Sequence, residues 1–132
     1  MNGLIYIAAP FDLAPTAENV AQMLQKSESI HNLIVVSRWH RIPIGVLSLP
    51  EAWTCNMADL ALADALVILT HEKGRETYTE LGLHLGRQKK VLWYPLDGLG
   101  TCLSLEQATQ LVTRVQDLKN LGPEIVRALA LH

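Results

Sequence analysis

Ala65-Leu66-Val67-Ile68-Leu69, followed shortly by Gly74-Arg75-Glu76-Thr77-Tyr78-Thr79-Glu80-Leu81-Gly82, is the stretch on which the fold reading turns. Five consecutive apolar residues, without the alternation of a half-solvated strand, read as a strand buried on both faces. The segment after it leads into a helix over 77–85 that ends near Gly86. In open α/β sheets ligands bind just beyond the carboxyl ends of the strands. Glu80 stands at such a strand-to-helix turn, where a carboxylate can act on a ligand lying over the sheet edge.

Working outward, residues 3–9 form another short apolar run and a candidate first strand. Pro10 breaks it, and a helix runs from 15 or 16 to 26, with a proline near its start. Residues 33–36 read as a second strand, rich in β-branched side chains. Residues 37–50, with two prolines and a glycine, are too long for a bare connector, and loops of that length tend to be functional. A helix over 51–63 follows, with Ser48 and Glu51 at capping-box spacing before it. The third strand covers 65–70 and the fourth 91–94, stopped by Pro95. A turn at 97–100 precedes a helix starting near Ser104 and Gln107 and reaching about 118. Gly122-Pro123 separates it from a last helix over 124–131. Strands alternating with helices imply a mainly parallel sheet of four or five strands, covered on both faces. The expected fold is α/β, a Rossmann-like or flavodoxin-like three-layer sandwich, with residues 1–132 as a single domain.

Composition narrows the function classes. The chain has 132 residues, 49% apolar and 18% charged, so it can bury a sizeable core. A net charge of -2 without a basic block argues against nucleic acid as the main partner. No apolar run approaches the roughly 18 residues of a membrane span, and the first residues lack the charged region of a signal peptide. Cys55 and Cys102 fit no metal-ligand spacing and are read as free thiols. The expectation is a soluble cytoplasmic protein.

Several residues invite a chemical reading beside a structural one. Asn56, Asp59, Leu60 and Ala63 share one helical face, pointing either at a ligand pocket or at a solvated edge. Thr77 and Glu80 also have capping-box spacing, a role that needs no substrate. Gly74-Arg75 offers a flexible turn with a fork of donors, for a phosphate or for a surface turn. Pro10-Phe11 either closes over a ligand or ends the first strand. Ser37-Arg38-Trp39-His40-Arg41 places an aromatic, an imidazole and two guanidinium groups after strand two. Trp39 is suited to stack on a flat base, or to close the core. His31, His71, His84 and His132 are scattered, so no metal site is expected. A dinucleotide fingerprint, a P-loop and a hydrolase elbow are all absent, and no cofactor is expected.

Together these pieces resemble the nucleoside 2-deoxyribosyltransferase superfamily, which includes the deoxynucleoside 5′-monophosphate N-glycosidase branch. Ile5-Tyr6-Ile7-Ala8-Ala9-Pro10-Phe11 is similar to its opening strand and loop, Tyr-x-Ala-Gly-Pro-Phe. The run from Asn56 to Asp64 resembles the helix before its next strand, and Gly74 to Gly82 its loop before the nucleophilic Glu. Ser37-Arg38-Trp39 is typical of one branch. The likeness covers about residues 3–95. It implies that Glu80 attacks the anomeric carbon of a (deoxy)nucleoside or its 5′-monophosphate, forming a glycosyl-enzyme ester that passes its sugar to another base or to water. It also implies that Ala9, Pro10, Phe11, Gly74, Arg75 and Glu76 hold the sugar and any phosphate, and that Trp39 lies near the base. Tyr6, Ala8, His40 and Thr70 fall in the same site, and the partners are a small-molecule nucleoside or nucleotide and further copies of the chain. Two departures stand out. Asn56 occupies the position of the base-protonating Asp, with Asp59 one turn on as a possible substitute, and Ala9 replaces the first-loop Gly. They leave a second reading open, a catalytically silent ligand-binding sensor on the same fold.

Overall fold

The computed structural model describes residues 2–26, 32–70, 89–95 and 112–129. Within them run strand β1 (Asn2–Ala8), helix α1 (Ala14–Lys26), strand β2 (Asn32–Val35), helix α2 (Leu49–Leu62), strands β3 (Ala65–Thr70), β4 (Lys90–Pro95) and β5 (Val112–Arg114), and helix α3 (Leu121–Ala128). The five strands form one sheet in the order β2-β1-β3-β4-β5, and every pairing is parallel. Helices flank it, giving the three-layer α/β fold that the alternation of apolar runs and helical segments implies.

The apolar strands build the core. Ala65, Leu66, Val67, Ile68 and Leu69 of β3 are buried, as are Ile5, Tyr6, Ile7 and Ala8 of β1 and Val91, Leu92 and Trp93 of β4. Such continuous runs suit a sheet whose two faces are both covered. Ala17, Val20, Ala21 and Leu24 turn the buried face of α1 inward. A Cβ built on Gly122 of α3 would lie 3.8 Å from Leu24 Cδ2, so the start of α3 approaches the buried face of α1 at that point. Asp64 ties the start of β3 to β1: its amide donates to Leu4 O at 2.7 Å, and its carboxylate accepts from Leu4 N at 2.9 Å.

The capping box before α2 forms as its spacing implies. Ser48 Oγ accepts from the Glu51 amide at 3.2 Å, and Glu51 Oε1 accepts from the Ser48 amide at 3.1 Å. Pro50 sits in the first turn, where a missing N–H costs no helical bond. The helix begins at Leu49 rather than at 51.

The C-terminal third departs from the expected helices. Residues 112–114, expected to be helical, form β5, pairing Val112, Thr113 and Arg114 with Val91, Leu92 and Trp93. Val112 and Thr113 are β-branched, and the open edge of β4 supplies a ladder that a helix there would leave unpaired. Val115 extends the pairing through its amide to Trp93 O at 2.8 Å. The last helix starts at Leu121, so Gly122-Pro123 lies inside its first turn instead of separating two helices. Apolar side chains of this third join the core: Val115, Leu121 and Ile125 are buried, and Leu118, Val126 and Leu129 pack against it. The expected helices over 77–85 and before residue 112, and the turn at 97–100, lie outside the described residues.

Leu66 is fully buried in the central strand, whereas Ile44 is 89% exposed. Leu66→Ala is expected to cost about 2–5 kcal/mol in urea unfolding, and Ile44→Ala less than about 0.5 kcal/mol. Similar losses at both positions would contradict this burial pattern.

Candidate functional site

The site is built where β2 leaves the sheet. Val36 makes the last ladder bond on that side, its amide donating to Ile5 O at 2.8 Å. The next backbone groups of β1 facing that edge belong to Ile7, and two side chains satisfy them. Ile7 N donates to Ser37 Oγ at 3.1 Å, and Trp39 Nε1 donates to Ile7 O at 2.7 Å. Ser37 and Trp39 thus replace the departed strand, and the loop is fastened to the carboxyl end of β1.

Between them, Arg38 faces the other way, onto α2. Its amide donates to Asp59 Oδ2 at 3.1 Å, and its Nε lies 3.0 and 3.1 Å from the two Asp59 oxygens. A guanidinium nitrogen adds an ion pair at 2.9 Å. Arg38 is 57% exposed, so the bare charge attraction is screened, and the fixed bonds to buried Asp59 do most to hold the loop. The hydrogen bond to Asp59 raises the Arg38 pKa above its ordinary value.

His40 continues the chain of bonds beneath Trp39. Its Nδ1 lies 2.7 Å from Glu18 Oε2, and its Nε2 lies 2.8 Å from Ser37 Oγ. An ionised carboxylate only accepts, so Nδ1 carries the proton and Nε2 accepts from the Ser37 hydroxyl. The order serine, histidine, glutamate is that of a hydrolase relay, but Ser37 is fully buried and its oxygen already receives the Ile7 amide. The relay is a structural brace. Burial pushes the His40 pKa down, against the pull of Glu18. Burial raises the Glu18 pKa, but hydrogen bonds from His40 and Arg41 outweigh it and hold it below its ordinary value.

Trp39 forms one wall of a cavity. Phe11 packs edge-on against it, with ring centroids 5.9 Å apart at 87°. A chamber of about 240 Å³ opens between these rings, Ile42 to Gly45 with Leu47, and the start of α2. A neighbouring chamber of about 380 Å³ adds Ala9, Pro50 and Trp53 and shares Phe11, Trp39, Leu49, Ala52 and Asn56. Leu49, Ala52, Trp53 and Asn56 are spaced i, i+3, i+4, i+7, so one face of α2 supplies this wall. The mouth is apolar: of the lining residues, Leu49 and Ile44 are largely exposed, and Phe11 and Trp53 partly so.

The expected site residues divide accordingly. Ala9, Phe11, Trp39 and Asn56 line the cavity together. Pro10 opens the short 3-10 turn Phe11–Leu13 that presents Phe11, accepting from Leu13 N at 2.9 Å. Tyr6 and Ala8 lie fully inside the core of the sheet, His40 stands behind Trp39, and Asp59 faces Arg38; none of these four lines the two chambers. Thr70 ends β3. Its side chain, and Gly74, Arg75, Glu76 and Glu80, lie outside the described residues. Sequence reasoning passed over Leu49, Ala52 and Trp53. The signal was present: an apolar stripe in phase with Asn56, one turn earlier than the face containing Asp59, Leu60 and Ala63. Among the described residues no cluster of His, Cys, Asp and Glu could hold a metal ion, and no helix is long and apolar enough to cross a membrane.

No family model and no curated protein matches the chain. Solved structures do. A 2-deoxyribosyltransferase from the psychrotolerant bacterium Bacillus psychrosaccharolyticus superposes with a TM-score of 0.63 at 19% identity, over 90% of each chain. A conserved protein from Enterococcus faecalis V583 superposes with a TM-score of 0.66 at 13% identity, over 96% of this chain and 99% of that one. The chain therefore has a nucleoside 2-deoxyribosyltransferase-like fold.

The His40–Glu18 brace gives a pH signature. Both pKa values are lower in the folded state than unfolded, so the unfolded chain binds more protons in acid. This contribution is complete above pH 6.5 and lost as the pH falls, first through His40 and then, below 4.5, through Glu18. The urea midpoint should begin to drop near pH 6.5, and the first part of that drop should be missing in His40→Gln. A midpoint that rises on acidification would contradict the assignment.

Proposed function

We propose that the chain acts at the N-glycosidic bond of a (deoxy)nucleoside or its 5′-monophosphate, with Glu80 as nucleophile. The observation that carries the reading is the cavity at the carboxyl end of β1: aromatic walls from Phe11, Trp39 and Trp53 with one amide, Asn56, on a 2-deoxyribosyltransferase-like fold. A flat base fits between aromatic faces, and an amide can bond its polar edge. The indole N–H of Trp39 is already committed to Ile7, so this residue offers its ring and not a polar contact.

In the reaction the Glu80 carboxylate forms a bond to C1′ as the C1′–N bond breaks, through an oxocarbenium-like transition state. The resulting ester then passes the sugar to water or to a second base. The sequence resemblance around Glu80-Leu81-Gly82 supports this role. Asp59 acts in this scheme as a positioning residue for the Trp39 loop, because its oxygens are taken up by Arg38.

A second reading, a non-catalytic nucleotide-like sensor, is favoured by one observation: Asn56 stands where the resemblance expects an acid, and the Asp59 carboxylate is engaged elsewhere.

Free-base release from a panel of nucleosides and their 5′-monophosphates, followed by chromatography, separates the two. Release by the wild type that falls to the enzyme-free rate in Glu80→Ala is expected. Asn56→Ala should weaken ligand binding by about three- to tenfold, the worth of one hydrogen bond. Calorimetric binding with no release in either protein would favour the sensor.

A further inference from the structure

Residues 42–47 present more apolar surface to water than a connecting loop needs. Ile44 is 89% exposed and Leu49, at the start of α2, is 82% exposed. Exposed aliphatic side chains gathered at the mouth of a cavity mark a surface that a ligand or partner covers. The loop is held in shape at both ends. Arg41 bonds Glu18 before it, and the Ser48–Glu51 capping box closes it. Between these anchors the Val46 amide donates to Pro43 O at 3.2 Å, across a turn whose third residue is Gly45. Gly45 has φ +93°, as the third position of a type II turn requires. Ile44 is therefore presented by a defined turn.

The two chambers share Phe11, Trp39, Leu49, Ala52 and Asn56. The larger continues to Ala9, just past the end of β1. The smaller continues instead to the loop that follows β2, the edge strand. Asn56 thus stands in the wall common to both. Ile42, Pro43, Ile44, Leu47, Leu49 and Ala52 give the smaller chamber an aliphatic lining. Its volume of about 240 Å³ exceeds the roughly 150 Å³ in which an apolar protein cavity binds benzene.

We infer that the loop chamber is a subsite for an apolar substituent on the base, so that the site takes nucleosides whose exocyclic amino group carries an alkyl or aryl group. The inference rests on the glycosyl-transfer reading and narrows its substrate class. The sugar of a nucleoside belongs at the carboxyl ends of the central strands. A ring lodged against Phe11 and Trp39 at the Ala9 end then directs its far edge toward the loop. A substituted amino group keeps one N–H, which the Asn56 carbonyl accepts. The substituent on the same nitrogen enters the smaller chamber, where it covers Ile44 and Leu49.

N6-benzyl-2′-deoxyadenosine and 2′-deoxyadenosine share a sugar and a ring and differ by the benzyl group. Binding of each to the full chain is measured by calorimetry, and base release by chromatography. Each buried methylene-sized group is worth about fourfold in affinity, so a benzyl group, even partly covered, should bind at least about tenfold tighter. Ile44→Asp, at an exposed position, should cut that ratio below about threefold. Val46→Asp puts the same charge on the same turn, but Val46 lines neither chamber, and the ratio should persist. Equal binding of the pair by the wild type would overturn the inference and leave glycosyl transfer to be judged on base release. A preference that both variants abolish alike would also overturn it, because the benzyl group would then lie on the outer surface of the turn. So would a preference that fades as protein concentration rises, which would put a second copy of the chain over the mouth. Neither binding nor release of either nucleoside would defeat the glycosyl-transfer reading and this inference together.

Discussion

The backbone of Ile7 is the constraint on which the rest of the site depends. β2 is only four residues long, and after Val36 it turns away from β1. A buried amide and carbonyl left without partners would each cost about 1–3 kcal/mol. Ser37 and Trp39 remove that cost from one edge, with the hydroxyl taking the amide and the indole serving the carbonyl. Because Trp39 is bonded at its nitrogen, its ring cannot turn freely. It is therefore a fixed wall, and Phe11, arriving from the end of β1, packs edge-on against it.

Two further anchors keep this wall in place, and they explain why polar residues beside a cavity do not all face it. Arg38 carries the loop across to α2 through Asp59, and His40 carries it back to α1 through Glu18. The loop thus joins three elements through five consecutive residues, 37–41, with Arg41 also bonding Glu18 at 2.9 Å. This arrangement consumes the carboxylate of Asp59. A residue one helical turn from Asn56 that looks available as an acid is spent on architecture, and the ligand-facing wall is left apolar except for one amide.

Much of this was legible in the sequence, for identifiable reasons. Unbroken apolar runs at 65–69 and 91–94 could only suit a doubly covered sheet, and the Ser48–Glu51 spacing marked the start of α2. Ser37-Arg38-Trp39 was marked out by composition, but its role was not, because the bonds to Ile7 and Asp59 join residues 20 or more apart in sequence. The face of α2 was half legible: Asn56, Asp59, Leu60 and Ala63 continue the line of Leu49, Ala52 and Trp53 along one face, and only the packing of the loop decides that its first half lines the cavity while Asp59 meets Arg38. β5 was missed because three residues give too short a pattern to outweigh neighbouring helical spacing. Its strand character comes from the open edge of β4.

The central claim is that a flat ligand ring lodges between Trp39, Phe11 and the Asn56 face of α2. Proton–nitrogen NMR during titration with 2′-deoxyguanosine or its 5′-monophosphate tests it directly. The account predicts shifts in the Asn56 side-chain amide and the Trp53 indole N–H, while the Trp39 indole N–H stays hydrogen-bonded to Ile7 and slow to exchange. Shifts confined to α3 and β5, or exposure of the Trp39 indole N–H to exchange on binding, would contradict it.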